Sequence, residues 1–300
     1  MQIRSTVQGF FYGNYFYGLC AVALSIEAAL QQAYPLADWA YYLAVFALTT
    51  WFYTLPYLLD KMQTVPDLRA RWYSNHKPFV RFSQAILLLI CCGYALYFVF
   101  TYGRAMLQMS AVQWALSLSI PFLGICYYGI SFNEQYNLRK IGVLKPFIIG
   151  FCWAGICTLY PILWHKITHG QPGGLDGVGY RLFLKNLMFI ALIGIMFDIK
   201  DYANDARQRL NTFVVQRGLR NTLFTILLPL SIIGLATFWL YGFTHNFSIM
   251  KISLNTLPFI AMLFAVQALK KRRSTMYYLI VIDGLLLVKA VCGSIAMLYF

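Results

Sequence analysis

The sequence predicts an all-α fold: a polytopic membrane helix bundle of about nine transmembrane helices, N-terminus cytoplasmic and C-terminus outside. Three observations predict it. Apolar residues make up 60% of the 300-residue chain and charged residues 11%, with a mean hydropathy of +0.62, a balance outside that of soluble domains. Apolar runs recur at roughly 20 residues each, the length that crosses a bilayer. The connections between them alternate in charge, with 18 of the 24 basic residues on one set and 6 elsewhere. The net charge of +14 is therefore a mark of membrane orientation, not of nucleic-acid binding.

The elements follow in order. The first span, 14–32, has only Arg4 before it and no small-residue cleavage site after it, so it reads as a retained helix and not a signal peptide. The second, 38–59, ends at a basic connection, 60–81, with Lys61, Arg69, Arg71, Lys77 and Arg81. Spans three and four, 82–101 and 111–132, are followed by Arg139, Lys140 and Lys145. The fifth, 146–164, leads into HKITHGQPGGLDGVGY over 165–180, whose glycines predict an outer, turn-like loop. The sixth, 183–198, meets a charged loop over 199–221 with Lys200, Arg207, Arg209, Arg217 and Arg220. The last three, 222–241, 252–268 and 277–298, carry Lys270, Lys271, Arg272 and Arg273 on the basic side. An odd number of spans agrees with termini on opposite faces. No connection is long enough for a second folded unit, so residues 1–300 read as a single integral-membrane domain.

Several function classes are excluded. The seven cysteines lie in apolar runs and form no CxxC pair, and His76, His165, His169 and His245 are scattered between the two faces, so neither a disulfide framework nor a zinc site is expected. No P-loop, Rossmann glycine pattern or Ser nucleophile elbow occurs. Glu27, Asp283 and Lys289 fall inside predicted spans. A charge facing lipid costs about 3 kcal/mol or more, so each is expected to face protein or a cavity. Asp283 and Lys289 do not share a helix face, which leaves Glu27 with Lys289 as the conceivable interhelical pair.

The segment Asp198-Ile199-Lys200-Asp201-Tyr202-Ala203-Asn204-Asp205 holds three of the ten acidic residues at i, i+3 and i+7. On a helix that spacing puts the carboxylates on one stripe. A solvated loop end balanced by Lys200, Arg207 and Arg209 is the bland account. Aligned carboxylates at a membrane surface are costly unless a cation lies between them, and Mg²⁺ carrying a phosphate is the usual one. Extended to Phe197–Gly218, the sequence FDIKDYANDARQRLNTFVVQRG closely resembles the second aspartate-rich motif of the UbiA superfamily of intramembrane prenyltransferases, an FDIRDxxxDxxxGxxTLPVxLG-like segment. Asp198, Asp201 and Asp205 match its carboxylates, and Tyr202, Thr212, Val215 and Gly218 match flanking positions. Leu210 stands near the usual Gly, and Val214 replaces the usual Pro. The nine-span plan with two long cytoplasmic loops is also what that family shows.

The family's first motif, NDxxDxxxD, belongs at the end of the second span. There Asp60 and Asp67 match its outer aspartates, while Leu59 and Thr64 take the Asn and middle Asp positions, and Asn75-His76-Lys77-Pro78 resembles its basic NKPxRP-like stretch. The resemblance implies Mg²⁺-dependent ionisation of an isoprenyl diphosphate and prenyl transfer to a lipophilic acceptor, in the bacterial inner (cytoplasmic) membrane. It implies Asp198, Asp201 and Asp205 as catalytic metal ligands, Asp60 and Asp67 as the remnant of the other site, and Arg139, Lys140 and Lys77 on diphosphate. The allylic cation needs a dry site with π faces. Tyr53, Tyr57, Trp72, Tyr127, Tyr128, Phe132 and Tyr136 lie near cytoplasmic span ends, with Tyr128 and Tyr202 the expected substrate contacts. Each ring taken singly fits an interfacial anchor as well. Two alternatives stand beside this reading. One is a non-catalytic relative that binds a lipid or a partner, motivated by the missing Asn-Asp pair. The other is a small transporter, motivated by Glu27, Asp283 and Lys289, though no paired Gly/Pro-broken spans support it. Acceptor, chain length and oligomeric state stay open.

Overall fold

The computed structural model describes residues 2–58, 68–128 and 141–300, with side chains from residue 6 onward except at 128. Among them there is no strand. The helices are α1 (Gln2–Tyr12), α2 (Tyr15–Gln31), α3 (Trp39–Leu58), α4 (Leu68–Asn75), α5 (Lys77–Leu107), α6 (Ala111–Tyr128), α7 (Lys145–Thr168), α8 (Gly177–Arg207), α9 (Phe213–Thr244), α10 (Ile249–Ala268) and α11 (Thr275–Tyr299). Six of them, α5 and α7 to α11, are long and apolar enough to cross a membrane; α2 and α6 are apolar but shorter. The chain is thus a polytopic membrane helix bundle. Its lipid-facing surface is apolar: α5 alone exposes Leu89, Leu96 and Phe100.

Each predicted span falls on a helix, but the boundaries move. α8 runs through the whole of Gly177–Arg207 in place of 183–198. It starts early because Asp176 caps it, accepting the Gly179 N–H at 2.7 Å. It continues past the apolar core because polar side chains of its last turns need no lipid cover. The predicted 199–221 loop therefore shrinks to 208–212, since Phe213 already opens α9. The 60–81 connection likewise contains α4 and the start of α5. α1 was not expected at all. It is joined to α2 by Asn14 in the left-handed region, φ 64°, a conformation asparagine tolerates.

Among the described residues, three π turns interrupt the long helices. Gly155–Leu159 in α7 precedes Pro161, and Thr222–Leu227 in α9 precedes Pro229. Proline has no N–H and crowds the preceding turn, so a widened turn accommodates it. The third, Tyr278–Ile282 in α11, has no proline and ends with the Asp283 N–H donating to Tyr278 O at 3.0 Å.

Packing neighbours run α5–α3–α2–α11–α10–α9–α8–α7, and α7 returns to touch α2. α8 supplies much of the core through Phe189, Ile190, Ile193, Ile195 and Met196. The expected interhelical pair is present: Lys289 Nζ lies 2.6 Å from Glu27 Oε2, both buried, joining α11 to α2. Gln31 donates to Glu27 Oε1 at 2.6 Å and accepts from Lys185 at 3.1 Å, which draws α8 into the same polar group.

Candidate active site at the polar end of α8

One continuous helix carries all three aspartates, so the i, i+3, i+7 spacing does align them. Their environments differ. Asp198 is 0% exposed and Asp205 4%, whereas Asp201 is half-exposed. Lys145, at the first position of α7, places Nζ 2.7 Å from Asp198 Oδ1. Lys200 Nζ lies 2.7 Å from Asp201 Oδ1. Lys145 also acts electrostatically on Asp205. α7 and α8 can deliver these groups to one point because their backbones approach closely there. A Cβ on Gly142 would lie 2.5 Å from the Asn211 carbonyl carbon and the Thr212 nitrogen, so only glycine lets the segment before α7 meet the turn after α8. Within that turn the left-handed residue is Arg209, φ 53°, the neighbour of Leu210 where the resembled motif is glycine-bearing. Gly218 adopts φ 78° and ψ 163°, a region open to glycine alone, and breaks the helical course of α9.

The residues present fit Mg²⁺. Asp198 Oδ2 is buried and accepts no hydrogen bond, so it has an oxygen to offer a cation. Among the described residues no three His, Cys, Asp or Glu side chains converge on one point. Mg²⁺ does not need that: it is held by one or two carboxylates while phosphate and water complete its octahedron. The Lys145 ammonium stands on Oδ1, the other oxygen of the same carboxylate.

An aromatic cluster shares the core with Phe197, the neighbour of Asp198. Tyr17 stacks on Tyr53 at 4.7 Å, and Tyr53 meets Trp153 edge-on at 5.9 Å while accepting the Trp153 indole N–H. Phe197, beside Asp198 in sequence, lies 5.6 Å from Tyr278. Lys200 sits 6.0 Å over the Phe197 ring. Beyond them α4 is pinned inside the bundle. Buried Arg69 donates to Tyr12 O at 3.1 Å and to Asn14 Oδ1, and lies 4.7 Å over the Tyr57 ring. Tyr73 stacks on Tyr57 at 4.5 Å and donates to Tyr12 O at 2.7 Å. Burial pushes the Tyr73 phenol up to about 12, so it stays a neutral donor.

Of the residues the sequence singles out, Asp198, Asp201 and Asp205 lie along one helix without their carboxylates converging on one point. Tyr202 is on the same turn but exposed. Lys77 is exposed in the first turn of α5, with no hydrogen bond or ion pair to the stripe among the described residues. Asp60, Asp67, Arg139 and Lys140 lie outside the described residues, as do Phe132 and Tyr136 and the side chain of Tyr128. Tyr53 belongs to the aromatic cluster, and Tyr57 lies beside it under Arg69. Tyr17, Trp153, Tyr278 and Asp283 were not expected near the site; their partners are too distant in sequence for spacing to reveal them. A cavity of about 430 Å³ between α9 and α10, lined by Leu223, Phe224, Leu228, Phe264, Gln267 and Lys270, contains none of the site residues.

No protein-family profile and no curated protein matches the chain. A solved structure of a digeranylgeranylglyceryl phosphate synthase, described in membranes, has the same fold with a TM-score of 0.55, over 97% of this chain and 98% of that one, at 12% identity. That identity shows a shared fold alone.

Proposed function

We propose that the protein is an intramembrane prenyltransferase of the UbiA kind, which ionises an isoprenyl diphosphate with Mg²⁺ at the α8 carboxylates and passes the prenyl group to a lipophilic acceptor. The observation that carries the reading is Asp198: a buried carboxylate, one oxygen on Lys145 and the other without a partner, at the polar end of a helix in a fold shared with a digeranylgeranylglyceryl phosphate synthase. Mg²⁺ would neutralise charge building on the departing diphosphate. Asp198 and Asp201 would hold it, with Asp205 extending the stripe. Lys145 moves from Asp198 to the diphosphate oxygens and meets the leaving group's charge. The Tyr17, Tyr53, Phe197 and Tyr278 rings exclude water and present π faces to the allylic cation. Asp60, Asp67, Arg139 and Lys140 complete the donor site from the connections after α3 and α6. In this reading the nine helical segments α2, α3 and α5 to α11 all span, and the α8 carboxylates and basic connections face the cytoplasm of a bacterial inner membrane.

The test is diphosphate release from geranyl, farnesyl and geranylgeranyl diphosphates by the purified protein, with Mg²⁺ and with EDTA, beside Asp201→Ala. Release that needs Mg²⁺ and falls at least about 100-fold in the variant is expected. Mg²⁺-dependent donor binding with no release, across a panel of quinone-precursor and lipid acceptors, would contradict it and establish a binding protein instead.

A further inference from the structure

The cavity of about 430 Å³ between α9 and α10 lies apart from the carboxylate site, and it is of the size that holds a ligand, about 300–1,000 Å³. Its two ends differ. Gln267 and Lys270 stand at one end, and Ile232 and Ile260 at the other. Leu223 and Val266 are buried and form its floor. Phe224, Phe264 and Ile232 are exposed at its rim, so it opens sideways to lipid.

Its depth and charge narrow the occupant. Along α10 the cavity runs from Ile260 to Lys270, about 15 Å at the helical rise. The hydrocarbon core of a bilayer is about 30 Å thick, so this is the depth of one leaflet. Ile260 stands near the middle of α10, and Lys270 lies just past its end at Ala268. The cavity thus reaches from the membrane–water interface to mid-bilayer, the course of one acyl chain. Its interfacial end is cationic. Lys270 Nζ is 5.2 Å from the Phe224 ring centre, at the mouth. Lys271, Arg272 and Arg273 follow it, all exposed. None of the four is within ion-pair distance of a carboxylate among the described residues. Arg273 is engaged by its own helix end, donating to Ala268 O at 3.0 Å. Lys270, Lys271 and Arg272 leave three charges for an external anion. A basic run after a span also sets orientation. That account explains the charges but not the one-leaflet cavity that begins beneath them.

We propose that this cavity is a binding site for an anionic phospholipid of the leaflet on the basic side. One acyl chain lies in the slot between α9 and α10, and the phosphodiester meets Lys270, Lys271 and Arg272. Basic pockets between membrane helices suit such headgroups, at about fivefold in affinity for each Lys or Arg. The arginine fork adds a directional contact to the two ammonium charges. The lining also selects a phosphodiester over an isoprenyl diphosphate. It holds no Asp or Glu, so nothing there binds the Mg²⁺ that accompanies a diphosphate. The assignment does not rest on the prenyl-transfer reading.

The experiment uses the full protein in phosphatidylcholine nanodiscs. One set carries a trace of phosphatidylglycerol with a diazirine on one acyl chain, and the other the same probe built on phosphatidylcholine. Photolysis and peptide mapping locate the contacts. Native mass spectrometry measures bound lipid for wild type, for Lys270→Gln with Lys271→Gln, and for Ile232→Trp. All three changed residues are exposed, so folding is not at stake. Wild type is expected to label over 223–232 and 260–267 with the glycerol probe, and at least about tenfold less with the choline probe. The double variant should bind the glycerol probe about 25-fold more weakly, with a flatter dependence on salt. Ile232→Trp fills the inner end of the slot and should lose the labels there. Equal labelling by the two probes is what lipid packed at random around the bundle gives, and it would overturn the proposal. So would labels outside the slot, or unchanged binding in the double variant. Displacement of the probe by geranylgeranyl diphosphate in EDTA would give the slot to the prenyl donor, and a lipid-free dimer in the native spectra would give it to a second copy; either overturns it. Diphosphate release is not read, so failure of the prenyl-transfer reading leaves these outcomes intact.

Discussion

Asp198 faces Lys145 with one oxygen and offers the other to no partner, and the proposed donor chemistry turns on that asymmetry. Removing the cation from a buried pair leaves an uncompensated charge, at about 3–5 kcal/mol. Lys145→Met should therefore lower the thermal unfolding temperature in detergent without divalent metal, and added Mg²⁺ should raise it more than in wild type. A variant as stable as wild type, with no larger Mg²⁺ response, would contradict the pairing. Residue spacing made the stripe on α8 legible, because three carboxylates on a 3.6-residue period are visible in one helix. It did not reveal that Lys145 would reach Asp198, a partner 53 positions away. Nor did it join Asp283 to Tyr17 and Arg69, which meet only when α2, α4 and α11 pack.

At the scale of elements, hydropathy located every long helix, since runs of about 20 apolar residues have few other uses. Helix ends were less legible. Asp176 caps α8 from within a glycine-rich stretch, and the last turns of α8 are helical although no lipid requires it. α1 and α4 are too polar or too short for hydropathy to mark, and what holds them is the buried Arg69–Asn14–Tyr73 set. The Glu27–Lys289 pair was legible because two opposite charges inside spans have few other remedies. Its energetics follow the same rule as Lys145. Glu27→Gln and Lys289→Met should each destabilise the protein by about 3 kcal/mol or more, and the double variant should lose less than either. Chemical unfolding of the four proteins measures it; additive losses would mean that the two groups do not act as a pair.

Over the whole molecule, the distribution of lysine and arginine makes a claim about orientation that the helix bundle leaves to experiment. With the basic connections inside, a C-terminal alkaline phosphatase fusion should be active and a C-terminal green fluorescent protein fusion dark. The reverse pattern would put the α8 carboxylates on the outer face, away from the prenyl diphosphates of the cytoplasm. The fold shared with a digeranylgeranylglyceryl phosphate synthase runs over nearly the full length of both chains. The central claim is that α8 holds metal and diphosphate, and the most direct measurement is a cryo-EM map of the protein with Mg²⁺ and geranylgeranyl S-thiolodiphosphate. The account predicts metal density between the diphosphate oxygens and Asp198 and Asp201, with the Lys145 ammonium moved off Asp198 onto the phosphate. Diphosphate bound elsewhere, with the Lys145–Asp198 contact intact, would contradict it.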